Sequence, residues 1–477
     1  MKDKMNRRQF IKSASIGLTA LSVAGIAGCL NDRCKLCKPN IVIIYTDDQG
    51  YGDVGRYGAQ GFETPNLDQL ADEGLLFTSF YSACSVCSPS RAALLTGCYP
   101  KRVGINQVLY PDGPAWTFNM KNVGLNPEET TIADMLKKKG YSSACIGKWH
   151  LGHHKEFLPT RQGFDYYFGL PYSNDMIPAV NEEYPPIPLI ENEEAIELNP
   201  DQSQLTTRYT EKALSFIEKN KNKPFFLYLA HTMPHVPLGV SDKFAGKSEQ
   251  GMYGDVIMEI DWSVGQIMDK LKKLNIDENT LVVFSSDNGP WLAYGNHGGS
   301  AGPLREGKMT TFEGGHRVPC IMRWPLGIEA NRTTDEVVTT MDLLPTIAAI
   351  TRCNLPDQII DGKDVSPILF NELGARTPHE MIYFYKNGFI QAVRYGKWKL
   401  HFEHGYQTVV EPGVDGKHGV SEDRVLEPSL YDLDIDPGET KNLASEHPDL
   451  VKEMVKRAQI FDYELEQKMR KSGRVKS

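Results

Sequence analysis

The stretch Asn40-Ile41-Val42-Ile43-Ile44-Tyr45 is a continuous apolar run, and it is soon followed by the acidic pair Asp47-Asp48. A short run that is apolar at every position, rather than at alternate positions, is typical of a strand buried on both faces. Strands of this kind belong to parallel sheets that helices cover on both sides. The stretch therefore predicts an α/β fold, with acidic side chains at the carboxyl end of a central strand.

Three further apolar runs are each followed by residues that can carry chemistry. They are residues 281–284 before Asp287 and Asn288, residues 224–229 before His231 and His235, and the weaker run 142–146 before Lys148 and His150. Ligands of open α/β sheets bind beyond the carboxyl ends of the strands. The four runs together predict that these acids, bases and cations meet at one edge of a single sheet.

Helical patterns lie between the apolar runs. Residues 65–77 follow Thr64 as a candidate N-cap, and residues 253–274 form a second amphipathic stretch. Alternation of strands and helices predicts a large central sheet that is mixed but mostly parallel, flanked by helices. We assign this catalytic domain to residues 38–375.

The pattern changes after residue 375. Short apolar runs at 381–385, 389–394 and 398–402 are separated by glycine-containing turns, which predicts an antiparallel meander. An amphipathic stretch at 447–471 follows as a closing helix. We assign residues 376–477 to a smaller C-terminal subdomain made of an antiparallel sheet and a helix.

Composition and charge restrict the class of protein. The chain has 477 residues, of which 40% are hydrophobic and 24% are charged, and its formal net charge is −9. These values are ordinary for a globular protein and argue against disorder or coiled coil. The acidic balance also argues against a nucleic-acid partner held by phosphate contacts.

The N-terminus has the features of an export signal. Arg7-Arg8 precedes Phe10 and a short apolar run that ends in Gly25-Ile26-Ala27-Gly28-Cys29. The paired arginines resemble a twin-arginine signal, and the end of the run resembles a lipoprotein box with Cys29 as the lipidated residue. A plain transmembrane anchor is the alternative, but the run is shorter than the roughly 20 residues that a span needs. We predict a signal peptide at 1–28, a tether at 29–37 and an exported lipoprotein anchored to a membrane, in the periplasm or on the cell surface.

The segment Cys87-Ser88-Pro89-Ser90-Arg91 predicts the start of a helix, because proline favours the first helical turn. Free backbone N–H groups and the helix dipole favour an anion there, and Arg91 adds a cation one turn further along. A cysteine in this position is expected to have a lowered thiol pKa and to act as a thiolate nucleophile. Taken alone, the segment also fits a buried cysteine at a helix start.

The same segment fits the pattern Cys-x-Pro-Ser-Arg-x-x-x-Leu-Thr-Gly and resembles the formylglycine-dependent (type I) sulfatases of the alkaline phosphatase superfamily. Within that family, the motifs resemble the arylsulfatase and N-acetylgalactosamine-6-sulfatase branch. The resemblance covers nearly everything from residue 38 onward. The other matching motifs are Asp47-Asp48-Gln49-Gly50, Gly147-Lys148-Trp149-His150, His235-Val236-Pro237, Asp287-Asn288-Gly289, Lys308 before Thr310-Thr311-Phe312-Glu313-Gly314-Gly315, and Leu430-Tyr431-Asp432-Leu433 with Asp436-Pro437-Gly438-Glu439.

The resemblance implies that a maturation enzyme oxidises Cys87 to formylglycine, whose aldehyde hydrates to a geminal diol. One hydroxyl would attack the sulfur of a sulfate ester, expel the alcohol and leave a covalent sulfate on residue 87. The second hydroxyl, once deprotonated, would expel the sulfate and restore the aldehyde. Covalent catalysis of this kind replaces one difficult step by two easier ones.

The resemblance also implies a metal site. Its ligands would be Asp47, Asp48, Asp287 and Asn288, together with an oxygen of the modified residue 87. A set of oxygen ligands favours Ca²⁺, with Mg²⁺ as the alternative, and argues against Zn²⁺, which prefers histidine and cysteine. The ion would polarise the sulfate.

The remaining implied roles belong to residues that handle charge and protons. Arg91 and Lys148 would hold the diol, and His150 would be the base of the second step. His235 and Lys308 would bind the sulfate and protonate the leaving oxygen, and Ser173 would make a further contact to the sulfate or the base.

Three functions stay open at this point. They are a sulfatase, a phosphate or phosphonate monoester hydrolase on the same fold, and an inactive lipoprotein that binds sulfated glycans. For a sulfatase, export and a membrane tether favour fragments of sulfated polysaccharides or glycosaminoglycans as substrates. An aryl sulfate is the simpler alternative substrate. The expected partners are this substrate, the maturation enzyme, the twin-arginine export machinery and the membrane that holds the lipid.

Overall fold

The computed structural model describes residues 38–117 and 119–475. The predicted signal peptide, Cys29 and the tether lie outside the described residues. Within the described ranges, no helix combines the length and the apolar character that a membrane span requires.

The described residues form strands and helices that alternate over most of the chain. The strands are β1 Asn40–Thr46, β2 Leu75–Phe77, β3 Phe80–Tyr81, β4 Val123–Gly124, β5 Ser142–Gly147, β6 Tyr166–Gly169, β7 Pro188–Glu191, β8 Glu194–Leu198, β9 Phe225–Ala230, β10 Thr280–Ser286, β11 Cys320–Arg323, β12 Arg332–Thr334, β13 Val338–Thr339, β14 Met381–Lys386, β15 Phe389–Tyr395, β16 Trp398–His401, β17 His404–Glu411, β18 Val420–Leu426, β19 Ser429–Asp432 and β20 Gly473–Arg474. The α-helices are α1 Pro65–Asp72, α2 Cys87–Thr96, α3 Ile132–Lys137, α4 Leu205–Asn220, α5 Met252–Lys273, α6 Glu313–His316, α7 Leu343–Thr351, α8 Ser366–Leu369 and α9 Pro448–Glu466.

A ten-stranded mixed sheet forms the centre of the molecule, in the order β12-β2-β11-β10-β1-β9-β5-β6-β7-β8. Strands β10, β1, β9, β5 and β6 run parallel to one another. Antiparallel strands extend the sheet on both sides of this parallel centre. The α/β class predicted from the sequence is therefore confirmed, with the opening stretch as a central strand.

Both faces of the sheet are covered, as the continuous apolar runs require. Ile41, Ile43 and Tyr45 of β1 pack in one core with α2, α3 and α7. Val42 and Ile44 point to the opposite face and pack with α1, α4 and α5. Because successive side chains of a strand point to opposite faces, one apolar run supplies two cores.

The C-terminal part carries a separate four-stranded antiparallel sheet in the order β14-β15-β16-β19. Helix α9 packs on it through Met454 and Ala458, next to Val393 and Leu400 of the sheet. Strands β17 and β18 form a further antiparallel hairpin. The predicted combination of an antiparallel sheet and a closing helix is confirmed.

The predicted helix over residues 65–77 is wrong in its last part. Helix α1 ends at Asp72, and Leu75–Phe77 form β2, which pairs with β11 and β12. Gly74 allows this change, because a Cβ there would lie 2.5 Å from the carbonyl oxygen of Met322. The Thr64 side chain does not cap the helix, since its hydroxyl accepts a hydrogen bond from the backbone N–H of Gly55 at 2.8 Å.

Candidate active site

Two neighbouring strands place the four acidic and amide residues side by side. Strands β1 and β10 are paired so that Thr46 lies opposite Ser286, and both polar motifs begin directly after this pair. The backbone N–H of Asp48 donates to Asp287 Oδ1 at 3.1 Å, and Asn288 Nδ2 donates to Asp48 Oδ1 at 2.7 Å. Asp48 has a φ of 65°, in the left-handed region. Such backbone strain is common at functional sites, where the surrounding structure holds it in place.

Strand β5 delivers Lys148 and His150 to the same edge of the sheet. Gly147 has to be glycine, because its φ is 111° and a Cβ would lie 1.8 Å from the carbonyl oxygen of Ala230 in β9. Lys148 Nζ forms a buried ion pair with Asp47 and donates to Ser173 Oγ at 3.0 Å.

Helix α2 brings Cys87 and Arg91 to the acidic residues. Arg91 Nη2 lies 2.8 Å from Asp287 Oδ2 and 3.6 Å from Asp47 Oδ2. Its Nη1 also donates to the carbonyl oxygen of Lys148 at 3.0 Å. Arg91 is fully buried and so ties β1, β5 and β10 together at one point.

The lowered thiol pKa expected for Cys87 is wrong. Cys87 is the first residue of α2, as predicted, but it is only 2% exposed. Burial raises the pKa of its thiol to about 11, and the nearby Lys148 and Lys308 only partly oppose this shift. Desolvation of a thiolate therefore outweighs the helix start and the two cations. The unmodified residue is a neutral thiol at pH 7.

The charges of the acidic cluster are unevenly distributed. Burial by itself would raise the pKa of Asp47, but Lys148, His235 and Arg91 hold it well below its usual range. Burial and the charge of Asp47 raise the pKa of Asp287. Carboxylates this close resist ionising together, and a cation between them relieves the repulsion.

Two oxygens of the cluster lack a partner, which fits a bound cation. Asp47 Oδ1 and Asn288 Oδ1 are buried and have no hydrogen-bond partner among the described residues. Buried polar atoms are normally satisfied, so two such oxygens in one acidic cluster are compatible with ligands of a cation. Potential ligand atoms of Asp47, Asp48 and His235 also lie within 4.8 Å of one another. The predicted oxygen ligands are therefore together, with one imidazole beside them.

His150 has a ring whose tautomer is defined by its surroundings. Its Nε2 lies 2.9 Å from the carbonyl oxygen of Leu109, so Nε2 carries the proton and donates it. Nδ1 is buried and has no partner in the described part of the chain. Burial, helped by Lys148, lowers the pKa of the ring well below its usual value. His150 thus presents a free lone pair on Nδ1.

His235 and Lys308 flank Asp48. Lys308 Nζ lies 2.7 Å from Asp48 Oδ2, and His235 Nε2 lies 3.5 Å from the same oxygen. His235 Nδ1 donates to the carbonyl oxygen of Val236 at 2.5 Å. His231 has a different environment, because its Nε2 contacts Ser263 Oγ of α5 at 3.3 Å.

These residues open into an inner cavity of about 320 Å³. Among the predicted site residues, its walls include Cys87, His150, Ser173, His235 and Lys308. Ion pairs with Lys148, Lys308 and Arg91 join Asp47, Asp48 and Asp287 to these residues, and Asn288 is hydrogen-bonded to Asp48. All predicted site residues within the described ranges thus belong to one cluster.

Sequence reasoning missed the aromatic walls of the cavity and one supporting amide. Trp291 lies 5.6 Å from the His235 ring and 4.3 Å from Lys308 Nζ, measured to the ring centre. Asn174 Nδ2 donates to the carbonyl oxygens of His235 and Pro237 and so holds the histidine loop. Trp291 directly follows the Asp287-Asn288-Gly289-Pro290 turn, which was the available signal.

Comparison of the chain with known proteins identifies one family. The family model "Sulfatase" matches residues 39–352, and the model "C-terminal region of aryl-sulfatase" matches residues 377–476. The chain is 39% identical over 446 residues to N-acetylgalactosamine-6-sulfatase of Canis lupus familiaris, which covers 88% of this chain and 84% of that protein. It is 40% identical over 435 residues to human arylsulfatase A, covering 85% and 83%.

A solved structure shows the same fold over nearly the whole chain. The PsFucS1 sulfatase from Pseudoalteromonas sp. superposes with a TM-score of 0.80 at 28% identity, covering 93% of this chain and 95% of that one. Of the three functions that the sequence left open, family membership selects the first. The chain belongs to the sulfatase family and is a sulfuric ester hydrolase.

Proposed function

We propose that this sulfatase acts through a formylglycine formed from Cys87 and a bound calcium ion, on fragments of sulfated polysaccharides or glycosaminoglycans. The observation that carries the proposal is the position of Cys87, which lines the inner cavity at the start of α2, beside the cations Lys148 and Lys308. An aryl sulfate would be the small test substrate.

The surroundings of Cys87 suit a modified residue better than a thiolate. Burial keeps the thiol neutral, with a pKa of about 11, so the unmodified side chain is a poor nucleophile at pH 7. A formylglycine in its place would supply a hydrated aldehyde, whose hydroxyl attacks the sulfur of the ester. Lys148 and Arg91 would hold that group in a fixed orientation, because both are already tied to carboxylates.

Calcium suits the acidic cluster. Asp47, Asp48, Asp287 and Asn288 are all hard oxygen donors, and two of their oxygens are buried without a partner in the described chain. When bound there, Ca²⁺ would supply positive charge to polarise a sulfate oxygen. His235 lies near Asp48, but the oxygen set argues for calcium over zinc.

The remaining residues bind sulfate and move protons. Burial opposes the charge on Lys308, but Asp48 raises the pKa of the lysine, so Lys308 stays a cation that can hold the sulfate. His235 Nε2 lies 3.5 Å from the same oxygen of Asp48. Burial and Lys308 lower the pKa of its ring, and a bound sulfate would oppose this shift, so that the ring can donate a proton to the leaving oxygen. His150 Nδ1, with its free lone pair, would accept the proton in the step that releases sulfate. Ser173 would orient Lys148.

The mass of the tryptic peptide 57–91 tests the modification, in protein made with a formylglycine-generating enzyme. We expect a peptide lighter by the difference between a thiol and an aldehyde. Cys84 lies in the same peptide and serves as an internal control, since it should still take one alkyl label. Two labels on active protein would overturn the formylglycine proposal. The Cys87→Ala variant should show no turnover.

A further inference from the structure

A second, outer cavity of about 580 Å³ adjoins the inner one. The two cavities share part of their walls. The shared residues are Val108, Tyr110, Trp116, Trp291, Lys308 and Met309. A group bound at residue 87 therefore has a larger space directly beside it, within the size range of ligand sites in proteins.

The far wall of the outer cavity comes from the C-terminal subdomain. It is formed by Lys386 at the end of β14, by Asn387 directly after it, and by residues of the β17–β18 hairpin, which are Gln407, Val409, His418 and Ser421. The inner cavity has no wall from these strands. The outer cavity thus exists only because the two parts of the chain pack together.

Lys386 is the charged residue of this wall without a fixed partner. It is half-buried, and its side chain makes no hydrogen bond or ion pair with any residue that the structure describes. The other charged groups are engaged, because Lys308 is paired with Asp48 and Glu306 accepts a hydrogen bond from Thr408 Oγ1 at 2.7 Å. Burial lowers the pKa of Lys386, and Asp423 only partly offsets this effect. An anionic ligand that accepts a charge-assisted hydrogen bond from the ammonium group would stabilise its charge further.

Aromatic side chains form the boundary between the cavities. Trp116 is 64% exposed, and its ring packs edge-on against Tyr110 at 4.7 Å between ring centres. Trp291 packs in the same way against Tyr294 at 4.8 Å. Large exposed aromatic surface beside a polar cavity suits a ligand with both an apolar face and polar edges, as a sugar ring has.

We propose that the outer cavity binds the sugar adjacent to the sulfated one, and that Lys386 binds an anionic substituent, a carboxylate or a second sulfate, on that adjacent sugar. This inference rests on the proposed function, because it places the sulfated sugar at residue 87. The substrate class is then a sulfated oligosaccharide with a negative charge on neighbouring rings. Lys386 and Trp116 would determine specificity without touching the reacting atoms.

The test compares a substrate of the inner cavity with ligands that reach the outer one. Hydrolysis of 4-nitrophenyl sulfate reports the inner cavity alone. Competition against it is measured with sulfated chondroitin and heparin disaccharides, each with its carboxylate intact or reduced to an alcohol. The variants are Lys386→Ala and Lys386→Arg. Lys417→Ala is the matched control, because this exposed lysine lies on the same hairpin outside the cavity wall.

For Lys386→Ala we expect the inhibition constant of the anionic disaccharides to rise about tenfold or more, from loss of one charge-assisted hydrogen bond. The kcat and KM for 4-nitrophenyl sulfate should stay unchanged, and Lys386→Arg should restore binding. Weaker competition after carboxyl reduction would identify the carboxylate as the recognised group. If Lys386→Ala still weakens inhibition by the heparin disaccharides whose carboxylate has been reduced, the second sulfate is the recognised group.

Three results would overturn the proposal. The first is an equal effect of Lys386→Ala and Lys417→Ala on the inhibition constants of the disaccharides. The second is a loss of 4-nitrophenyl sulfate hydrolysis in Lys386→Ala as large as its loss of disaccharide binding. The third is that no disaccharide inhibits the unsubstituted protein. Calorimetric titration of the same disaccharides into the Cys87→Ala variant repeats the comparison without turnover. Failure of the proposed function would instead appear as absent 4-nitrophenyl sulfate hydrolysis in protein shown to carry formylglycine.

Discussion

At the scale of single residues, the site depends on side chains whose protonation is set by burial and by one defined contact each. Cys87 is kept neutral by burial, although a helix start and two lysines stand beside it. His150 has its lone pair on Nδ1 because Nε2 is committed to the carbonyl oxygen of Leu109. In both residues the surroundings therefore set one protonation state before a substrate arrives.

Replacing His150 by alanine should trap the covalent intermediate. If His150 Nδ1 accepts the proton that allows sulfate release, the His150→Ala variant will form the ester on residue 87 and release it slowly. Mass spectrometry of the intact protein after incubation with 4-nitrophenyl sulfate should show one added sulfate. His447→Ala, at the start of α9, is the control and should show none. Slow turnover of His150→Ala without an adduct would mean that another group performs this step.

Changing the acidic cluster should remove calcium. Asp287→Asn and Asn288→Ala each take away or weaken an oxygen ligand, so we expect elemental analysis to find less than one calcium per chain. Chelation should lower the melting temperature of the unsubstituted protein, because an ion that binds only the folded state stabilises it. Asp261→Asn changes a buried carboxylate elsewhere and should leave calcium unchanged. One full equivalent of calcium in both site variants would refute the ligand assignment.

At the scale of elements, the late motif ending in Glu439 joins the two parts of the chain. Glu439 Oε1 lies 2.7 Å from His401 Nε2 and 3.2 Å from Lys399 Nζ of β16. Its Oε2 accepts the backbone N–H of Glu313 at the start of α6, at 2.7 Å. Lys399 also pairs with Glu313 Oε1 at 2.9 Å. The motif therefore holds the small sheet against the large domain, and with it the outer cavity.

Removing the ion pairs of Glu439 should destabilise the protein strongly. Glu439→Gln leaves the buried Lys399 with a single carboxylate, and loss of one partner of a buried pair costs about 3–5 kcal/mol in free energy of unfolding. Urea denaturation measures this change. The control is Glu427→Gln, an exposed carboxylate near β19, for which we expect almost no effect. Equal midpoints for the two variants would exclude a stabilising role for these ion pairs.

The same ion-pair cluster should also make stability depend on pH. Burial opposes ionisation of Glu313, but Lys399, Arg317 and Arg394 lower its pKa from 4.5 to about 2. Its contribution to the free energy of unfolding is therefore complete above about pH 4.5 and is lost as the pH falls towards 2. Glu313→Gln should remove this part of the pH dependence in denaturation measured from pH 2 to 7. An unchanged slope would contradict the assigned shift.

At the scale of the whole molecule, the two parts of the chain contribute unequal shares of one binding surface. The large domain carries every residue assigned to the chemistry, and the C-terminal subdomain adds the far wall of the outer cavity. If Lys386 recognises the adjacent sugar as proposed, substrate preference can change in the C-terminal subdomain without disturbing the reacting groups.

Export and lipid anchoring remain predictions that concern the whole chain. We expect Cys29→Ser to release the sulfatase from the membrane fraction of the producing cells while its activity is retained, since the lipid is attached outside the catalytic domain. Cys34→Ser, a thiol in the same tether, is the control and should remain with membranes. Equal distribution of both variants would exclude Cys29 as the anchor.

Much of the fold and the site follows from local pattern. A run that is apolar at every position specifies a strand buried on both faces, so β1, β9 and β10 and the polar residues at their ends were predictable. The residues at 75–77 were not, because one apolar triplet fits the end of a helix as well as a short strand. Only the pairing of these residues with β11 and β12 decides between the two.

The chemical groups at the strand ends could be identified from the order of the amino acids, because strand patterns and motifs depend on neighbouring residues. The protonation of those groups depends on the folded arrangement, since the pKa of Cys87 depends on the water that surrounding elements exclude. That arrangement also determines that Lys386, Trp116 and Trp291 border one space, because they come from separate parts of the chain. No local pattern carries information about contacts at such distances along the chain, and packing of the two parts creates them.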